Sequence, residues 1–181
     1  MNNYLIDYIN KYTSLISHID SKKVDALTKI FKNIKNKKSK IIIVGNGGSA
    51  SIASHVSTDL SKVCKVRSLN FNEGNFLTCL SNDFGYENWV VEALKMHSDK
   101  TDLIILISSS GTSPNIINAA KYLKKNKIKL VTLNGFDKKK PPLKKFGDLN
   151  FSIDSSNYNM IENIHQFILL SALDCLIKTK V

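Results

Sequence analysis

The sequence predicts an α/β fold, a parallel sheet sandwiched by helices. Three observations predict it. Short aliphatic runs at Ile41–Val44, Leu103–Ile107 and Ile128–Leu133 read as strands buried on both faces. Stretches with helical spacing separate these runs, as crossovers between parallel strands require. Two of the runs end in loops of small polar residues, Gly45-Asn46-Gly47-Gly48-Ser49 and Ser108-Ser109-Ser110-Gly111-Thr112-Ser113.

The elements follow in order. Residues 3–35 read as two helices. Leu5, Ile9, Tyr12 and Ile16 keep one apolar face, and Val24, Leu27, Ile30, Phe31 and Ile34 keep another. Asp20-Ser21 offers an N-cap between them. The 181 residues suit one domain, with residues 1–37 as a helical hairpin and 38–181 as the α/β core. The hairpin's apolar face must be covered by the α/β body or by another subunit.

The first strand runs into Gly45–Ser49 and then a helix. Glycines let the backbone approach a ligand closely, and Ser49 is placed to cap the helix, whose start favours an anion. The alternative is a tight turn that only packs a helix on a sheet. Ala50 stands where a dinucleotide fingerprint has its last glycine, and no Gly-Lys-Ser/Thr follows, so the loop predicts a phosphate without a nucleotide cofactor.

Val66–Phe71 reads as a strand, Asn72–Asn75 as a turn, Phe76–Leu80 as a short helical piece and Ser81–Gly85 as a second loop. Tyr86–His97 is helical, with Trp89, Val90, Ala93 and Leu94 inward. Pro114 suits the first position of a helix reaching Lys125. Asp137–Lys145 is a basic loop, Leu149–Ile153 the last strand, and Tyr158–Lys178 a long helix that is apolar around most of its circumference. Ligands of open α/β sheets bind beyond the C-terminal strand ends, where connections diverge. Two anion-type loops meeting there predict a phosphorylated small molecule. A lone cap would need one serine, and Ser108–Ser113 holds more than that.

Composition narrows the classes. The net charge of +11 is almost all lysine, since Arg67 is the one arginine. Base readout favours arginine, so the lysines read as a solvated surface and nucleic acid is disfavoured. Cys64, Cys79 and Cys175 are widely spaced, which predicts reduced thiols and a cytoplasmic protein. The N-terminus has acidic and polar residues where a secretory signal has basic and apolar ones, and no apolar run is long enough for a membrane.

Asn46-Gly47-Gly48-Ser49, then His55 and Asp59-Leu60, then Ser81-Asn82-Asp83-Phe84-Gly85, then Ile107–Ser113, together resemble the sugar isomerase (SIS) domain family. Within it the chain most resembles the phosphoheptose isomerases, which convert sedoheptulose 7-phosphate to D-glycero-D-manno-heptose 7-phosphate. The resemblance implies a flavodoxin-like sandwich and a homotetramer with active sites at subunit contacts. It implies that Asn46, Gly47, Gly48 and Ser49 approach the substrate and that Ser108, Ser109, Ser110 and Ser113 hold the phosphate. Asn82 and Asp83 would reach sugar hydroxyls. His55 and Asp59 would belong to the reaction centre and, with Glu162, to the Zn²⁺ site seen in parts of the family.

Three positions depart from the family's pattern. Asp59 replaces a glutamate, Glu162 replaces a glutamine, and Leu170 stands where a histidine is expected. His55 and Asp59 share one helix side at i,i+4; the alternative is a surface pair. Glu162, His165 and Gln166 open the last helix as a polar stripe. If that stripe faces the cleft, Glu162 restores the polar function and His165 serves as the acid; otherwise it is an exposed helix start. The expected activity is aldose–ketose isomerisation through an enediol, with Asp59 as base. The competing readings are a sugar-phosphate sensor that has lost catalysis, and a tetrameric partner of the replication initiator.

Overall fold

The computed structural model describes residues 3–179, so the first two and last two residues of the expected unit lie outside the described residues. The chain runs α1 (Tyr4–Ser17), α2 (Ser21–Asn36), β1 (Lys40–Gly45), α3 (Gly48–Lys62), β2 (Arg67–Asn70), α4 (Gly74–Phe84) and α5 (Trp89–His97). It continues with β3 (Leu103–Ser108), α6 (Pro114–Asn126), β4 (Lys129–Asn134), β5 (Leu149–Ser152) and α7 (Tyr158–Ile177). The five strands form one parallel sheet in the order β2-β1-β3-β4-β5, the flavodoxin-like arrangement.

Strand alternation builds both layers. Ile41 and Ile43 of β1, Leu103, Ile105 and Ile107 of β3, and Val131 and Leu133 of β4 face α2, α3 and α7. Ile42 and Val44, Ile104 and Leu106, and Leu130 face α4, α5 and α6. Every one of these strand residues is buried, so the runs are apolar without a gap. The two layers also place the site. β1 and β3 are neighbours, yet β1 feeds α3 on one face and β3 feeds α6 on the other. Their loops meet at the C-terminal edge of the sheet, where open α/β sheets bind their ligands.

Several local expectations need correction. Ser81–Phe84 is helix, because Glu73 caps α4 by accepting from Phe76 N at 2.9 Å and the helix runs on until Gly85, at φ +82, ends it. Asn82 and Asp83 therefore ride on a last helical turn. α5 begins at Trp89, after a turn at 86–88. Ser49 does not cap α3; Gly47 does, at φ +54, and Ser49 is a buried residue of the helix. The basic loop holds two 3-10 turns, Asp137–Lys139 and Pro142–Lys145. Asp20 caps α2 as expected, accepting from Lys22 N.

α7 is also more than a set of short apolar runs. Its 20 residues are long and apolar enough, by length and composition alone, to cross a membrane. In the fold it is a core helix: Ile161, Ile164, Ile168, Leu169 and Ala172 are fully buried against the sheet and α2.

Candidate functional site

The two small-residue loops come together because an asparagine pair ties them. Asn46 Nδ2 donates to Asn115 Oδ1 at 3.0 Å, and Asn115 Nδ2 donates back to Asn46 Oδ1 at 2.9 Å. Asn115 is fully buried in the first turn of α6, so removing Asn46 would strand its amide, while Asn46 is half-buried and also accepts from Tyr86 Oη at 3.4 Å. Asn115 is not among the residues expected from the sequence. Its available signal is an amide set into the apolar start of a helix, directly after a serine-rich loop.

The second loop is shaped from within. Ser108 Oγ accepts from Gly111 N at 3.1 Å and lies 3.2 Å from Ser113 Oγ. Ser110 Oγ accepts from Thr112 N at 3.3 Å and from Thr112 Oγ1 at 3.0 Å. Ser109 points the other way and donates to Glu162 Oε1 at 3.4 Å.

Glu162 joins both loops. Its carboxylate lies so close over Gly48 that a Cβ there would fall 2.1 Å from Glu162 Oε2. A side chain at position 48 would push the Glu162 carboxylate aside, and that carboxylate comes from the far end of the chain. One turn along α7, Gln166 Nε2 lies 3.2 Å from His55 Nδ1 on α3, and His55 Nε2 lies 3.2 Å from Asp59 Oδ2. Leu170, one turn further, lines a cavity of about 150 Å³ with Asp59, Val63, Cys64, Leu173, Asp174 and Ile177. The i,i+4 ridge Glu162–Gln166–Leu170 is therefore the face that α7 turns toward α3 and the loops.

His165 does not join this face. It is fully buried on the sheet side of α7, and neither ring nitrogen has a hydrogen-bond partner. Burial pushes its pKa from 6.5 down to about 4, only partly opposed by the backbone of Asn134. The expectation that His165 acts as an acid in the cleft is corrected: one residue's rotation from Gln166 carries it into the core. Asn82 and Asp83 are exposed; Asn82 Nδ2 donates to Asp83 Oδ1 at 2.9 Å, and Asp83 Oδ2 accepts from Cys79 Sγ at 3.7 Å. Among the described residues neither bonds to the two loops.

The expected metal trio does not assemble either. Glu162 rests on Gly48 and Ser109, while both His55 nitrogens already face Gln166 and Asp59. Among the described residues no three His, Cys, Asp or Glu side chains converge as a metal-holding set. The residues present do not fit a zinc ion, and no step of the reaction is routed through one.

The buried ring makes a separate expectation for stability. The unfolded chain binds a proton at this histidine below about pH 6.5, and the folded chain only below about 4. Stability tied to the neutral ring is complete above pH 6.5 and is lost as pH falls toward 4, by about 3 kcal/mol in all. Urea unfolding at pH 7 and pH 4.5 should show wild type losing about 2–3 kcal/mol more than His165→Leu. Equal losses would show that the ring is not held neutral in the core.

Comparison with known proteins places the chain. The SIS domain family matches residues 7–135. A phosphoheptose isomerase of Helicobacter pylori (strain HPAG1) is 33% identical over 144 residues, covering 76% of this chain and 73% of that protein. One from Fusobacterium nucleatum is 30% identical over 155 residues, covering 83% and 79%. Among solved structures, a phosphoheptose isomerase from Francisella tularensis superposes with a TM-score of 0.88 at 18% identity, covering 98% of this chain and 96% of the other. One from Neisseria gonorrhoeae gives 0.84 at 21% identity, covering 96% and 95%. At those identities the structural matches speak for the fold.

Proposed function

The chain belongs to the SIS domain family and within it to the phosphoheptose isomerases, and on that premise we propose how its own residues carry out the isomerisation of sedoheptulose 7-phosphate to D-glycero-D-manno-heptose 7-phosphate. The observation that carries the reading is the ridge of α7, which meets both phosphate-type loops through Glu162 and the His55–Asp59 pair through Gln166.

In this reading Ser108, Ser110 and Ser113 hold the phosphate, with the start of α6 adding its dipole. Asn46, Gly47 and Gly48 border the sugar. Asp59 takes a proton from C1 of the ketose while the C2 carbonyl oxygen gains one from solvent, giving the 1,2-enediol. O1 then releases its proton to solvent as Asp59 returns one to C2, and the aldose forms. His55 donates a hydrogen bond that keeps the Asp59 carboxylate turned. Incubation of the purified protein with sedoheptulose 7-phosphate, followed by NMR, should show the aldose 7-phosphate. Binding without turnover would instead make the chain a sugar-phosphate sensor.

We further propose an oligomer, a homotetramer as the resemblance suggests, in the cytoplasm, where the three free cysteines are at home. α1 supports the assembly. Of its residues only Leu15 is buried, while Leu5 is 68% exposed and Tyr4, Ile6 and Ile9 are more than half exposed. Another copy covering this face would remove apolar surface from water on both helices. Light scattering at micromolar concentration should report a multiple of 20.3 kDa. A 20.3 kDa particle would remove the assembly and any site shared between subunits.

A further inference from the structure

We infer that Gln166 is the positioning residue of this site: its amide fixes the orientation and tautomer of His55 and so aims the proton on Nε2 at Asp59. The inference rests on the isomerase reading for its consequence in rate, but its geometry stands alone.

His55 and Asp59 sit on α3, and side-chain accessibilities of 49% and 32% leave both free to swing in solvent. An exposed i,i+4 pair is ordinarily a weak and mobile contact. Here a third group comes from another helix. Gln166 is half-buried on the ridge of α7 that packs along α3, and its Nε2 is 3.2 Å from His55 Nδ1. With the amide nitrogen turned toward it, as the structure has it, Nδ1 is assigned as the lone-pair nitrogen. The ring proton then lies on Nε2, the nitrogen 3.2 Å from Asp59 Oδ2. Gln166, His55 and Asp59 form a directed chain of N–H donors that ends on a carboxylate.

The chain has a consequence for chemistry. One Asp59 oxygen is held by His55, leaving the other for the carbon-bound proton. A glutamine on α7 thus does for a base on α3 what α3 alone does not do. Gln166 forms no hydrogen bond with either phosphate-type loop among the described residues, so its effect belongs to the rate and not to phosphate capture.

The test uses the full chain and two readouts, one of which needs no turnover. Nitrogen-15 NMR of the histidine rings at neutral pH, assigned with a His55→Asn sample, should show His55 protonated on Nε2 in wild type. Gln166→Leu should average the two His55 tautomers and lower kcat tenfold or more, with KM within twofold and an unchanged melting temperature. Gln166→Glu, which accepts instead of donating, should draw a proton onto Nδ1. Wild-type His55 protonated on Nδ1, or a His55 spectrum unmoved by Gln166→Leu, would overturn the inference. Absence of turnover on every phosphoketose would reject the isomerase reading, while the NMR spectra would still decide the role of Gln166.

Discussion

Asp59→Asn should abolish detectable isomerisation while sugar-phosphate affinity stays within a few-fold of wild type. The asparagine keeps the size of the side chain and can still accept a hydrogen bond from His55, but it cannot take a proton from carbon. Loss of a general base costs about a hundredfold to ten-thousandfold. The phosphate loops lie elsewhere, at Gly47–Ser49 and Ser108–Ser113, so binding has no reason to follow the rate down. The competing base is Glu162, the other carboxylate on the site's edge. Its oxygens sit over Gly48 and near Ser109 Oγ, where they neighbour the phosphate's position. Glu162→Gln should therefore leave turnover within a few-fold and tighten phosphate binding, by removing a like charge. The reverse pattern, with Asp59→Asn active and Glu162→Gln inactive, would move the base to α7. Asp59→Glu refines the assignment. The longer side chain must displace His55 from its contact with Gln166, and misplacement by about an ångström costs on the order of a hundredfold. A faster Asp59→Glu enzyme would show instead that the native base sits too far back.

Periodicity carries the strands and the layer order. Uninterrupted aliphatic runs can only be central strands, and their odd and even residues sort themselves onto two faces. The two loops are equally plain, since glycines and serines at strand ends have few other uses. What stays hidden is the part that depends on rotation about a helix. Glu162, His165 and Gln166 look alike as a polar stripe, yet one turn of α7 sends Glu162 and Gln166 to the site and His165 to the core. Spacing alone does not fix which edge of the stripe meets the sheet; the neighbouring β4 and α3 do. Asn82 and Asp83 read as loop residues because Gly74 hides a helix start that the Glu73 cap secures. Asn115 is hidden for a different reason. Its partner, Asn46, is distant in sequence, and a reciprocal amide pair leaves no periodic trace. Rotation also separates the three expected zinc ligands within the chain: the ridge of α7 directs Glu162 to the loops and leaves His55 to Gln166.

Ser110→Ala combined with Ser113→Ala should weaken binding of the sugar phosphate by roughly a hundredfold to ten-thousandfold. Each serine hydroxyl aimed at a phosphate oxygen makes a charge-assisted hydrogen bond, contributing about 1.5–3 kcal/mol, and two of them give about 3–6 kcal/mol. The structure shows why these two are the right pair to remove. Ser108 Oγ accepts from Gly111 N and so holds the loop's own turn; its loss would confuse binding with folding. Ser49 is a buried residue of α3, so it too mixes packing with contact. Ser113 precedes α6 but makes no side-chain capping bond, and Ser110 bonds within the exposed turn at Thr112. The double variant should accordingly melt within a few degrees of wild type. Calorimetry with the sugar phosphate, and separately with inorganic phosphate, reads the effect directly. A parallel loss for both ligands would place the phosphate at this loop. Retained affinity for both would remove it from there, and with it the reason for reading the loops after β1 and β3 as the substrate site. Loss for the sugar phosphate alone would move these serines from the phosphate to the sugar's hydroxyls.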